Sequence, residues 1–187
     1  MKAIASFILK LFGWKMTGSL PAEVKKCIVI MAPHTSMWDF VFGFLGFMSL
    51  GYRSRYLIKR EMFSFPLGIL LKALGAIPVN RQSAAKLVIQ VGELIKKHDD
   101  LILTITPEGT RNLVKNWKKG YYFIAQHSQI PVYFGFLDYK KKIGGIGPGL
   151  IPSGDYDKDL KIIEDFYMDI HARHPEKFSL SEQNRGK

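Results

Sequence analysis

Apolar positions fall along this chain in two patterns, short unbroken runs and helical stripes, with polar clusters at the ends of the runs. The run Cys27 to Ala32, with Lys25 and Lys26 before it and Pro33 after it, predicts a strand buried on both faces that delivers His34 to its carboxyl end. Trp38 to Leu50 is apolar nearly all round. It is too long for a typical strand and too short for a bilayer span, so it predicts a buried or lipid-facing helix in spite of Gly43 and Gly46. Further strands are expected over Arg55 to Ile58, Ala76 to Val79, Leu101 to Thr106 and Ile130 to Leu137. Phe63 to Leu74 predicts a helix closed by Gly75, and Ser83 caps another to about His98, with Leu87, Val88, Val91, Leu94 and Ile95 on one face. Gly120 to His127 reads as a short helix, Gly144 to Gly154 as a loop or irregular hairpin, and Lys158 to Arg173 as a closing helix.

Strands alternating with helices predict an α/β fold, a mostly parallel mixed sheet flanked by helices, in which ligands gather beyond the carboxyl ends of the strands. Ahead of this pattern, Ile4, Phe7, Ile8, Leu11 and Phe12 recur at helical spacing with Lys2, Lys10 and Lys15 at the edges. Such a stripe suits a helix lying in a membrane interface, and equally one packed on a core. Lys10 interrupts the run and no small-residue cleavage site follows cleanly, so a surface helix is expected rather than a cleaved leader. Residues 1–24 are therefore expected to be a membrane-association segment and 25–180 the folded domain. The longest other apolar stretch, Met62 to Val79, is broken by Pro66 and Lys72, which favours attachment over spanning.

Composition changes this picture in two ways. A net charge of +11 with thirteen Phe in 187 residues points to an anionic partner, either acidic lipid or nucleic acid. Cys27 is the only cysteine, which excludes a disulfide framework and a zinc set of the CxxC type.

Two polar clusters follow strands. In His34-Thr-Ser-Met-Trp-Asp39 the spacing lets a carboxylate meet an imidazole across a strand-to-helix turn, fixing its tautomer and leaving the other ring nitrogen free as a base. The same spacing is satisfied if Asp39 simply caps the helix. In Pro107-Glu-Gly-Thr-Arg111, followed by Lys115, Lys118 and Lys119, a forked guanidinium and point charges surround a tight turn and match a phosphate, unless Glu108 and Arg111 merely pair with each other. Arg81, after the segment from Gly75 to Val79, stands just past a third strand.

In order, these pieces resemble the glycerolipid acyltransferases typified by 1-acyl-glycerol-3-phosphate acyltransferase. His34 and Asp39 resemble that family's His-x4-Asp motif, Gly75 to Arg81 its second motif, Pro107 to Arg111 its Pro-Glu-Gly-Thr-Arg motif, and Ile130-Pro131-Val132 its fourth. The resemblance runs from about Cys27 to Leu137 and includes Lys59 ahead of the second motif. It implies His34 as base, Asp39 as its orienting partner and Arg111 as phosphate ligand, with Arg81 and Lys59 as supporting cations. Glu108, Gly109 and Thr110 would shape the acceptor site. It further implies acyl-coenzyme A or acyl carrier protein as donor, a lysophospholipid acceptor, no cofactor and no metal, and a peripheral place on the cytoplasmic face of the cell membrane in phospholipid synthesis. Pro33 and Thr106 stand where the family commonly has Asn and Phe, which leaves the acceptor open to a lyso-aminolipid such as lyso-ornithine lipid. A non-enzymatic protein binding nucleic acid or anionic lipid would account for the charge but not for the ordered motifs.

Overall fold

The computed structural model describes residues 1–80 and 83–180. Among these are seven strands and six α-helices, which alternate as expected over residues 26–138 and are joined by a strand at Lys15–Thr17 that the sequence pattern did not indicate. The strands are β1 (Lys15–Thr17), β2 (Lys26–Met31), β3 (Ser54–Lys59), β4 (Ala76–Val79), β5 (Leu101–Ile105), β6 (Val132–Asp138) and β7 (Ile143–Leu150). The helices are α1 (Lys2–Leu11), α2 (Met37–Leu50), α3 (Leu67–Ala73), α4 (Ala84–Lys96), α5 (Gly120–Ser128) and α6 (Tyr156–Tyr167). One sheet in the order β1-β7-β6-β2-β5-β3-β4 contains them all, parallel except between β6 and β7.

Strand β2 lies at the centre, and its alternation explains its unbroken apolar run. Ile28 and Ile30 enter the larger core with Val91 and Ile95 of α4, Tyr121 and Ile124 of α5, and Ile163 of α6, whereas Cys27 and Val29 face Phe47 of α2 on the other side. All four of these β2 residues are buried at 0 % exposure, so truncating an isoleucine here should cost about 2–5 kcal/mol. Burial also pushes the Cys27 thiol up to about 12, which keeps it an inert hydrophobe.

Local chemistry accounts for most boundaries. Ser83 Oγ accepts the Lys86 N–H at 3.3 Å to start α4, and Gly51 at φ +92° closes α2, its N–H donating to the Met48 carbonyl and the Tyr52 N–H to that of Phe47. The helix expected over Phe63 to Leu74 is shorter: a 3-10 turn occupies Arg60–Phe63, and α3 begins only after Pro66. The segment after Gly144 resolves as a hairpin, with β7 antiparallel to β6 and an irregular register between Tyr133 and Gly135. The closing helix starts at the Asp155 cap, whose Oδ1 accepts the Lys158 N–H, and ends at Tyr167 rather than continuing to Arg173.

The N-terminal stripe settles outward. Ala5 and Leu9 of α1 are buried, the latter with Trp14, Phe42 and Leu137, while Ile4, Phe7 and Leu11 stay 64 %, 62 % and 70 % exposed. Among the described residues no helix is long and apolar enough to cross a membrane.

Candidate active site

Parallel pairing of β2 with β5 places Ile30 opposite Ile105, so the loops after the two strands leave the sheet side by side. That register brings the two sequence-distant clusters together. His34 donates its backbone N–H to both carboxylate oxygens of Glu108, at 2.9 and 3.1 Å.

Between β2 and α2 the chain closes a reciprocal cap. Ser36 Oγ accepts the Trp38 N–H at 3.2 Å, and Asp39 Oδ2 accepts the N–H groups of Thr35 and Ser36 at 2.7 and 2.8 Å. Reaching back for these donors sets the same oxygen 3.5 Å from His34 Nδ1. Helix cap and imidazole partner are thus one carboxylate, and the two readings of Asp39 coexist. Its other oxygen, Oδ1, accepts the Tyr139 hydroxyl at 2.6 Å. Burial works to raise the Asp39 carboxyl, but the donors from His34, Tyr139, Ser36 and Thr35 outweigh it and hold it below the ordinary carboxylate range.

Glu108 is tuned the other way. It is 3 % exposed, and burial, aided by the negative charge of Asp39 and only partly opposed by the His34 N–H, pushes its carboxyl up to about 8. Between the unfolded value near 4.5 and about 8 the folded protein therefore holds more protons at this carboxyl than the unfolded chain, and stability must fall with rising pH. Thermal melting across pH 5 to 8 should show wild type losing up to about 1.4 kcal/mol per pH unit relative to Glu108→Gln. Parallel pH dependences in the two proteins would contradict this environment for Glu108.

The site opens on a cavity of about 690 Å³. Phe40, Phe44 and Phe47 of α2, Leu57 and Ile58 of β3, and Leu87 and Val88 of α4 form its apolar walls, and His34, Asp39 and Gly109 form part of its rim. The cavity reaches residues on both faces of the sheet because β3 pairs with β5 only as far as Tyr56, after which Leu57 to Lys59 pair with β4 alone. Gly109 adopts φ +67°, and a Cβ there would come within 2.7 Å of Lys118 Nζ, so the turn and the approach of this lysine both require glycine. Lys118 and Lys119 line the cavity, the latter with its ammonium 4.2 Å from the Tyr156 ring centroid.

Of the residues expected from sequence, His34, Asp39 and Gly109 thus meet at the cavity, and Glu108 supports His34 from behind. Thr110, Arg111 and Lys59 lie outside the cavity walls, with Arg111 and Lys59 exposed. Arg81 lies outside the described residues. Sequence reasoning missed Tyr139, which no motif marks, and read Lys118 and Lys119 as point charges for a phosphate without expecting them to line the cavity.

The site is thus a histidine–carboxylate pair at the strand ends of an α/β sheet, beside a largely apolar cavity. Residues 14–133 match the family model described as Acyltransferase, and the chain belongs to that family. It is an acyltransferase. Its fold is similar to that in the crystal structure of the 1-acyl-sn-glycerophosphate (LPA) acyltransferase PlsC from Thermotoga maritima, with a TM-score of 0.57, 14 % identity, and coverage of 88 % of this chain and 74 % of that one. No curated protein matches the chain at a significant level.

Proposed function

We propose that this acyltransferase moves a fatty acyl group from acyl-coenzyme A or acyl carrier protein to the hydroxyl of a lysophospholipid, with 1-acyl-glycerol-3-phosphate as the favoured acceptor. The observation that carries this reading is the His34–Asp39 pair at the rim of a largely apolar cavity, since esterifying a lipid hydroxyl needs a base beside a slot for an acyl chain. Asp39 faces Nδ1, so Nε2 of His34 is the nitrogen left to take a proton. As Nε2 removes the acceptor's hydroxyl proton, the oxygen attacks the thioester carbonyl. Collapse of the tetrahedral adduct breaks the carbon–sulfur bond, and the imidazolium returns its proton to the departing thiolate. One acyl group and one proton change places, with no cofactor in the sequence of steps.

The acceptor's phosphate is assigned to Arg111, with Arg81 and Lys59 in support and with the nearby Lys118 and Lys119 adding positive potential at the cavity. Holding the phosphate would fix the free hydroxyl near His34. The test is a competition in which the purified enzyme receives an acyl thioester with equal lysophosphatidate, lysophosphatidylcholine and a lyso-aminolipid. Lysophosphatidate should be preferred, and Arg111→Ala should cost about 1.5–3 kcal/mol in kcat/KM for it, roughly ten- to a hundredfold, with little change for an acceptor lacking phosphate. Exclusive use of the aminolipid with Arg111→Ala harmless would move the substrate to an amino-acid lipid.

The same reading sets the enzyme on an anionic membrane surface. The outward residues Ile4, Phe7 and Leu11 of α1 and Met37, Trp38 and Val41 of α2 are large, apolar and exposed, and Phe12 bridges the two helices with its ring 6.4 Å from that of Trp38. Lys2, Lys10 and Lys15 add charge attraction that salt should screen. Flotation with anionic vesicles should fall for a triple Ile4, Phe7 and Leu11 to Ser variant, and equal flotation would remove α1 from the anchor.

A further inference from the structure

We infer that Tyr139 is a positioning residue for the reaction, acting through Asp39 rather than on the substrate. The inference rests on the reading of His34 and Asp39 given under the proposed function. Tyr139 follows β6 and lies beyond residues 14–133, outside the segment that the family model matches. Its hydroxyl donates to Asp39 Oδ1 at 2.6 Å, a shorter hydrogen bond than those the Thr35 and Ser36 N–H groups make to Oδ2.

Division of the donors between the two oxygens is what gives Tyr139 a role. Two backbone N–H groups hold Oδ2 in place relative to the loop, but a carboxylate pinned through one oxygen can still swing about it. The Tyr139 hydroxyl fixes the second oxygen, so the plane of the carboxylate is set and Oδ2 keeps its bearing on His34 Nδ1. A base whose orienting partner rotates spends less time in the productive tautomer and direction.

The tyrosine is itself held from several sides. Its backbone N–H donates to the His171 carbonyl at 2.9 Å, its ring meets Trp14 edge-on at 5.0 Å, and the Arg173 guanidinium sits 5.7 Å from the ring centroid. Arg173 lies at the same distance from Trp38, and His174 N–H reaches Thr35 Oγ1 at 3.2 Å, so the segment after α6 clamps both Tyr139 and the His34 loop. The charged or titratable groups that face Asp39 are then His34 from its own loop, Glu108 from the loop after β5, and Tyr139 with Arg173 beside it. Burial, followed by the bond to Asp39, raises the Tyr139 hydroxyl far above its ordinary value, so it remains a donor throughout the working pH range.

The test is steady-state kinetics on Tyr139→Phe, which keeps the ring packed against Trp14 and removes only the hydroxyl. The expected result is a ten- to hundredfold fall in kcat, with KM for thioester and acceptor within twofold of wild type. Because the lost donor is one that lowers the Asp39 carboxyl, the acid limb of the kcat–pH profile should also move to higher pH. A kcat within twofold of wild type, or a loss confined to KM with an unmoved profile, would overturn the assignment. Should Tyr139→Phe prove poorly folded by its melting curve, Tyr139→Met, a flexible side chain without a donor, tests the same point: its kcat should fall as expected for Tyr139→Phe, and wild-type kcat there would equally overturn the assignment. His34→Ala measured alongside separates the two levels of the argument. If His34→Ala is active, the reading of the base fails; if His34→Ala is dead and Tyr139→Phe is normal, only the role of Tyr139 fails.

Discussion

His34→Ala should lower kcat by about 10²- to 10⁴-fold, the loss expected when a general base is removed. The protein should remain folded, and the reason lies in the main chain. The bond from the His34 N–H to Glu108 survives truncation of the side chain, as do the Thr35 and Ser36 bonds to Asp39 that close the cap on α2. The side chain is only 19 % exposed, so its truncation gives up some packing while these main-chain bonds remain. A purified variant with a melting temperature within a few degrees of wild type, assayed with acyl thioester and lysophosphatidate, provides the measurement. Turnover within about tenfold of wild type in that folded protein would rule out His34 as the base.

Asp39→Asn should be nearly as damaging, with a fall of up to about 10⁴-fold where the carboxylate sets the tautomer of the base. An amide keeps one acceptor for the Thr35 and Ser36 N–H groups and can still meet the Tyr139 hydroxyl, so shape is preserved while the charge beside His34 Nδ1 disappears. The loss should appear in kcat rather than in KM, because no substrate group is placed on Asp39. Stability responds separately. The Asp39 carboxyl is held below its ordinary value in the fold, so its contribution is present above the unfolded value near 3.8 and vanishes as pH falls through the folded value. Melting curves at neutral pH should therefore show Asp39→Asn destabilised, and the gap from wild type should close in acid. A variant that melts like wild type at pH 7 but has lost activity would show that the carboxylate serves catalysis without stabilising the turn.

Much of the fold was legible because its causes are local. Burial on both faces of a central strand requires an unbroken apolar run, and Cys27 to Met31 supplies one. A capping side chain acts over three residues, so Ser83 announces α4 directly. The helix expected over Phe63 to Leu74 was misjudged because apolar spacing continues across Pro66, while the backbone cannot carry a regular helix through it.

By itself the sequence determined the alternation of strands and helices, the arrival of His34 and of the Glu108 turn at strand ends, and the cap that turns Asp39 back toward His34. Each of these follows from burial or hydrogen bonding among residues close together in the chain. Only the tertiary structure decided which strand ends are neighbours. The register of β2 on β5 joins His34 to Glu108, and the early parting of β3 from β5 opens the cavity across the sheet. It also decided that the apolar stripe of α1 faces outward, since Ala5 and Leu9 alone fill the space that α2 and Trp14 leave for it. Tyr139 belongs wholly to this second kind: it reaches Asp39 across 100 positions of sequence, because β6 lies beside β2 in the sheet, and no short-range pattern records that adjacency.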